Sequence, residues 1–237
     1  MKKILTVLLA TILLTGCKNN VGNGFDMRIH HNKVSWMNGV IGFQTDLNSN
    51  GKKQNNLAFS AYLKCRDGHT IQMPGTDVLG YGASSPMGKS GIYKDNDGYS
   101  QAEVLSLTDN RMVIHLKHEP WNIHDEEVSF DKQITLFRDS PIMEVIDYYN
   151  GLFELLNVAA GIIYTDATAV WMDNKYVMTY PNGLTAILYM PNQDSNATQY
   201  GSALVSKGIT PDEPLRYYVG FSDKGAEYLL EELDKIL

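Results

Sequence analysis

The 237-residue chain is 43% apolar and 20% charged, an ordinary globular composition that excludes a largely disordered protein. With 20 basic against 27 acidic side chains it carries a net charge of −7 and no basic stripe, which argues against binding nucleic acid through phosphates. Two cysteines are too few for a disulfide framework or a zinc ribbon.

The chain opens as a targeting signal. Lys2 and Lys3 precede the apolar run Ile4 to Leu14, and Leu14-Thr15-Gly16-Cys17 follows at once. The run is too short for a membrane span of about 20 residues but suits the core of a secretory signal. The four residues resemble the lipobox of bacterial lipoproteins, which implies cleavage before Cys17 and a diacylglycerol on its sulfur. Residues 1–16 are therefore read as a signal peptide. Residues 17–26 are read as the lipidated cysteine and a polar, flexible tether. No later segment is apolar enough to span a bilayer, so lipid is the expected sole membrane contact. Cys65 is then alone and reads as a packed small apolar residue.

Residues 27–237 read as one domain. Weak strand signals occur at Lys33–Trp36, Val40–Asp46 and Leu57–Leu63, with Asn38-Gly39 as a turn. The interval Arg66–Tyr99 is irregular and rich in glycine, the kind of long segment that is often functional. Gly80-Tyr81-Gly82 within it lacks the lysine and helix of a phosphate cradle. Gln101–Ser106 is a further strand. In Arg111–His118, Met112, Ile114, Leu116 and His118 share one face. In Val128–Leu136 the apolar face is Val128, Phe130, Ile134 and Leu136, interrupted by Lys132. Ile142–Tyr149 is apolar on both faces, with Glu144 and Asp147 set into it. Later strands are read at Val158–Tyr164, Tyr176–Thr179, Leu184–Met190, Ser202–Ser206 and Leu215–Phe221. The regular turns between them predict an all-β sandwich or barrel. From Ser222 to Leu237, Ala226, Leu229, Leu230, Leu233 and Leu237 follow helical spacing, with Ser222 as the cap.

No nucleophile elbow, Walker loop or His-Glu-x-x-His motif is present. His115, His118 and His124 lie close in sequence, but the odd spacing of the first two puts them on opposite faces of a strand, which weakens a metal reading. No metal or cofactor is expected. His118 is either a proton donor or acceptor, or a core histidine bonded to backbone. Glu144, among apolar neighbours, must pair with a cation or take a raised pKa. Asp77 sits in a loop, where catalytic acids are often displayed. Trp121, after Pro120 at a strand end, is a candidate stacking surface for a sugar ring.

Several short pieces in a fixed order carry a family resemblance. They are Gly75-Thr76-Asp77 with Val78-Leu79-Gly80-Tyr81-Gly82, then Gln101–Ser106, Glu119-Pro120-Trp121, the run Val128–Asp147, Ala159-Ala160-Gly161-Ile162 and Pro214–Gly220. This pattern resembles the domain-of-unknown-function 4861 family of exported bacterial proteins, often lipoproteins, encoded among polysaccharide-degradation genes. The resemblance implies a β-supersandwich like that of galactose mutarotase, ending here in an amphipathic helix. It also implies an oligosaccharide ligand, and it transfers Asp77, Tyr81 and Trp121 as site positions. The family's usual His-x-Trp-Gly-Arg-Gly-type stretch is replaced by Leu63–His69. Two functions follow as expectations. One is lyase, epimerase or hydrolase chemistry, with Asp77, His118 and Glu144 as acid and base and Arg66 or Arg111 neutralising a substrate carboxylate. The alternative is a non-catalytic sugar-binding or structural envelope lipoprotein. The expected location is the outer membrane, facing the periplasm. Oligomeric state is not legible in the sequence.

Overall fold

A computed structural model describes residues 24–47, 58–64, 69–73, 79–89, 91–93, 98–123, 126–164, 166–172, 174–199 and 201–237. Cys17, Arg66 and Asp77, together with the signal segment and Cys65, lie outside the described residues.

The chain first forms β1 (Asp26–His30), β2 (Lys33–Met37), β3 (Ile41–Asp46), β4 (Ser60–Lys64) and β5 (Thr70–Gln72). Next come β6 (Tyr81–Gly88), β7 (Gly91–Ile92), β8 (Tyr99–Leu107), β9 (Arg111–Ile123), β10 (Glu126–Phe137) and β11 (Ile142–Asn150). Then follow β12 (Leu156–Ile163), β13 (Thr168–Met172), β14 (Lys175–Thr179), β15 (Thr185–Tyr189), β16 (Ser195–Gln199), β17 (Ser202–Ile209), β18 (Leu215–Ser222) and the helix α1 (Ala226–Asp234). Three antiparallel sheets result. The first is the meander β1 to β5, the second has the order β13-β14-β15-β18-β11-β10-β9-β8, and the third has the order β16-β17-β12-β6-β7. This is an all-β sandwich with a terminal helix, one of the two architectures the alternating pattern allows and the one the family resemblance implies. Phe25, read as tether, is buried, and Asp26 already begins β1.

The first sheet is tied to the other two at defined points. Leu47 bridges to Tyr99 and Phe59 to Gly80, both in parallel. The Asn38 amide donates to the carbonyls of Phe137 (2.7 Å) and Ser140 (2.8 Å), while its oxygen accepts from the N–H groups of Val40 and Ile41. That turn is thereby locked to the β10–β11 connection. Gly80 has φ +58°, and a Cβ there would lie 2.2 Å from the Phe59 carbonyl. Close approach of two backbones, rather than any phosphate, explains this glycine.

The helix begins later than its sequence pattern implies. Ser222 is the last residue of β18, and its hydroxyl accepts from the Lys224 N–H, so it is spent on the turn rather than on a cap. The position before the helix is Gly225, with no side-chain cap. Leu229 and Leu233 bury themselves against Ile142, Val177, Ile187 and Tyr218, which covers one part of the outer face of the large sheet.

Between the large and third sheets lies a polar cluster with no solvent contact. Lys132 of β10 and Asp147 of β11 are direct cross-strand partners, both fully buried, with Nζ 2.5 Å from Oδ1. Lys132 also donates to the Ser84 hydroxyl (3.1 Å) on β6 and to the Tyr217 hydroxyl (2.9 Å) on β18. All three ammonium donors are thus used. Ser84 gives its proton to Asp147 Oδ2, so the Tyr149 hydroxyl, 3.2 Å away, must donate to Ser84. Tyr217 donates onward to the Gly82 carbonyl (2.9 Å). The rings of Phe59, Phe130 and Tyr217 surround the ammonium at 5.3–5.8 Å. Lys132 is the residue that interrupts an otherwise apolar face, and the cluster explains the interruption. Burial pulls its pKa down, opposed by Asp147. Burial, then the Asp147 charge, pushes the Tyr149 and Tyr217 phenols well up.

Removing one charge of this pair leaves the other buried and unpaired. Lys132→Met is expected to lower the unfolding free energy by about 3–5 kcal/mol, and Lys132→Met with Asp147→Leu to recover most of that loss. Urea unfolding of the three proteins measures both values, and a double variant as weak as the single one would contradict the pairing account. The buried phenols set an alkaline limit. Burial pushes Tyr81 up to about 12, and Tyr149, Tyr180 and Tyr217 are also raised. Unfolded tyrosines ionise near about pH 10, so above that pH the unfolded state binds fewer protons than the folded one and stability falls. Lys132 works in the opposite sense, but it is a single group against several phenols. Unfolding measured from pH 8 to 12 is expected to show a steep loss above about pH 10, shallower in Tyr81→Phe. An unchanged slope in that variant would contradict the assignment.

Candidate functional site

The sequence-derived candidates separate onto two faces of the large sheet. His118 is buried on the inner face, and its ring stacks on Phe130 at 4.8 Å and 12°. Its Nδ1 lies 2.5 Å from the Glu119 carbonyl, which can only accept, so Nδ1 carries the proton. Trp121 lies three residues on and would face outward in a regular strand. A register shift intervenes, with Phe130 opposite His118 but Val128 opposite Trp121. The bulge returns Trp121 to the inner side, half-buried, 5.0 Å from the His118 ring. Tyr81 is wholly buried, and its hydroxyl bonds Tyr180, which in turn donates to the Ile163 carbonyl (2.6 Å). His118 and Tyr81 therefore belong to the core, and the half-buried Trp121 packs against it.

Glu144 and Arg111 lie on the outer face. Glu144 is opposite Thr135 and His118 is opposite Phe130, five positions apart along β10 and on the other side of the sheet. About 16 Å of strand separates them, so they do not form one acid–base pair. His115 points outward and His118 inward, as their odd spacing requires. Among the described residues no group of three or more His, Cys, Asp or Glu side chains could hold a metal ion.

The register assembles a polar and aromatic surface around Glu144. One row runs Glu103, His115, Gln133, Ile146 and Arg216 across β8, β9, β10, β11 and β18. The next runs Val113, Thr135, Glu144, Tyr218, Tyr189 and Lys175. Lys117, Asp131 and Tyr148 form a shorter third row. Glu144 pairs with Arg216 (Oε1 to Nη1, 3.1 Å) and accepts from the Tyr218 hydroxyl (3.2 Å). Pairing with a cation is thus how this carboxylate tolerates an apolar strand. Tyr218 stacks on Tyr189 at 6.0 Å, and the Lys175 ammonium lies 5.4 Å from the Tyr189 ring. His115 is held between Asp131 (2.9 Å) and Glu103 (3.2 Å). Tyr148 is 37% exposed, and the Arg216 side chain is 52% exposed. The Tyr218 hydroxyl, then Glu144, hold the guanidinium above its ordinary pKa, while burial raises the Tyr218 phenol.

Such a surface can stack against the C–H face of a ring and bond hydroxyl or charged groups beside it. Sequence reading missed Arg216, Tyr148, Tyr189 and Tyr218. A signal existed, because Glu144 and Tyr148 share parity in one strand, and Arg216 and Tyr218 in another.

Comparison with known structures and families places this geometry. The crystal structure of the periplasmic domain of Thermotoga maritima YidC has the same fold, with a TM-score of 0.52 at 9% identity over 87% of this chain and 90% of that one. Full YidC gives 0.52 at 8% identity, and the match covers 53% of its chain. Heparan sulfate lyase HepC from Pedobacter heparinus gives 0.49 at 12% identity, over 85% of this chain and 35% of that one. A search of curated protein sequences returns no match. The model of the family described as Domain of unknown function (DUF4861) matches residues 44–228, which include every strand from β4 to β18 and all the outer-face residues named above. The chain belongs to this family.

Proposed function

We propose that the protein is an exported lipoprotein, anchored through Cys17 to the outer membrane and facing the periplasm, that binds oligosaccharides on the outer face of its eight-stranded sheet. The observation that carries this reading is the row of outward side chains around Glu144. The exposed Tyr148, an arginine–glutamate pair and a histidine–carboxylate group lie together on rigid strands, backed by the buried Tyr218 that the helix covers. Stacking platforms beside fixed polar groups suit a ring that is apolar on its faces and polar at its edge. The order of targeting signals in residues 1–17 supports export and lipidation. The placement of His118 and Glu144 on opposite faces of the sheet removes that acid–base pair, which supports the binding reading.

Two outcomes are expected. Cys17→Ala moves the protein from the membrane fraction to the soluble fraction, and retention in membranes after a salt wash would contradict the anchor. Tyr148→Ala weakens oligosaccharide binding measured by calorimetry by about five- to tenfold, and the oligomers stay intact on prolonged incubation. Unchanged affinity, or the appearance of cleaved products, would contradict the reading.

A further inference from the structure

Arg216 stands out on the outer face for how it is held. It is the residue after Leu215 at the start of β18, and it lies opposite Ile146. That register makes Glu144 and Tyr148 its diagonal neighbours on β11, one on each side. Tyr218 follows it two positions along its own strand and therefore on the same face. Glu144 is only 15% exposed, and its Oε1 takes both the Arg216 Nη1 and the Tyr218 hydroxyl. The guanidinium is thus fixed from below by a mostly buried carboxylate, yet half of the side chain remains in solvent.

A guanidinium has five N–H donors in a planar fork. Glu144 engages it through a single oxygen, the Tyr218 hydroxyl takes a second position, and the Tyr148 phenol lies near. Most of the fork is therefore uncommitted. An arginine serving only to neutralise Glu144 needs neither this exposure nor the exposed ring of Tyr148 beside it. An arginine presented to a planar, two-oxygen anion needs both features, since it must be pre-oriented and reachable.

Resting on the proposal that this face binds sugars, we infer that Arg216 reads a carboxylate carried by the sugar, so that the ligands are acidic, uronate-type oligosaccharides. Glu144 acts as the positioning residue that fixes the fork, and Tyr148 supplies the adjoining ring surface. A sulfate ester on a neutral sugar offers similar oxygens. The planar match of fork to carboxylate favours the uronate.

The test is calorimetry with three oligomers of equal length: an oligogalacturonate, its fully methyl-esterified form, and a sulfated galactan oligomer. The acid is expected to bind at least about tenfold tighter than the ester, in line with one charge-assisted bidentate contact. Arg216→Gln removes that advantage, and Arg216→Lys restores only part of it, because a point charge lacks the fork. Glu144→Gln lowers the acid-to-ester ratio as well, which a purely structural role would not do. Equal affinity for acid and ester, with both weakened by Tyr148→Ala, overturns this inference and leaves sugar binding standing. Tightest binding of the sulfated oligomer overturns the carboxylate assignment. Binding of none of the three overturns sugar recognition on this face, and the inference with it.

Discussion

The Lys132–Asp147 pair is the constraint on which the rest of the structure depends. Two charges without solvent contact survive only if every donor and acceptor is satisfied, and here partners come from β6, β10, β11 and β18 at once. The pair therefore fixes which face of β10 and β11 looks inward. Side chains alternate along a strand, so a one-residue slip would expose Lys132 and bury its neighbours. With Lys132 and Asp147 inside, Asp131, Gln133, Glu144, Ile146 and Tyr148 have to be outside. The candidate binding surface is the reverse side of the buried cluster. On the proposed function, the two faces divide the work between stability and recognition.

Much of the large sheet was legible in the sequence because its strands are half-buried. Arg111–His118 and Val128–Leu136 alternate cleanly, and β9 and β10 contain both runs. β6 was hidden for the opposite reason. Its sequence Tyr-Gly-Ala-Ser-Ser-Pro-Met-Gly is buried on both faces over most of its length, with small side chains from Gly82 to Ser85. Small residues without alternation read as a loop, and Ser84 shows no sign in sequence of being a partner for a buried lysine. The short edge strands β5, β7, β13 and β16 carry too little pattern to be seen. The helix was legible by its apolar spacing, while its start was not, because Ser222 spends its hydroxyl on a turn.

The site was legible only in part, and the failures have distinct causes. Glu144 is visible as a charge in an apolar strand, and its cation turns out to be Arg216, seventy-two positions away and beyond any local pattern. His118 ends an apolar row and behaves as a core residue bonded to backbone, the plainer of its two readings. The side of the sheet that Trp121 takes is set by a bulge that no periodicity argument anticipates. Tyr81 sits in a glycine-rich stretch whose function is close packing of β6 against the first sheet, since Gly80 admits the Phe59 carbonyl where a side chain would collide. The family resemblance thus located the fold correctly, while strand register decided which residues share the outer face of the large sheet.

The central claim is that recognition belongs to the outer face and architecture to the inner one. Residue-resolved NMR of the protein titrated with an oligogalacturonate tests this most directly. The account predicts shifts confined to Tyr148, Arg216, Tyr218, Tyr189 and their outward neighbours, with Tyr81, His118 and Trp121 unmoved. Shifts centred on His118 and Trp121, with Tyr148 and Arg216 silent, would contradict it.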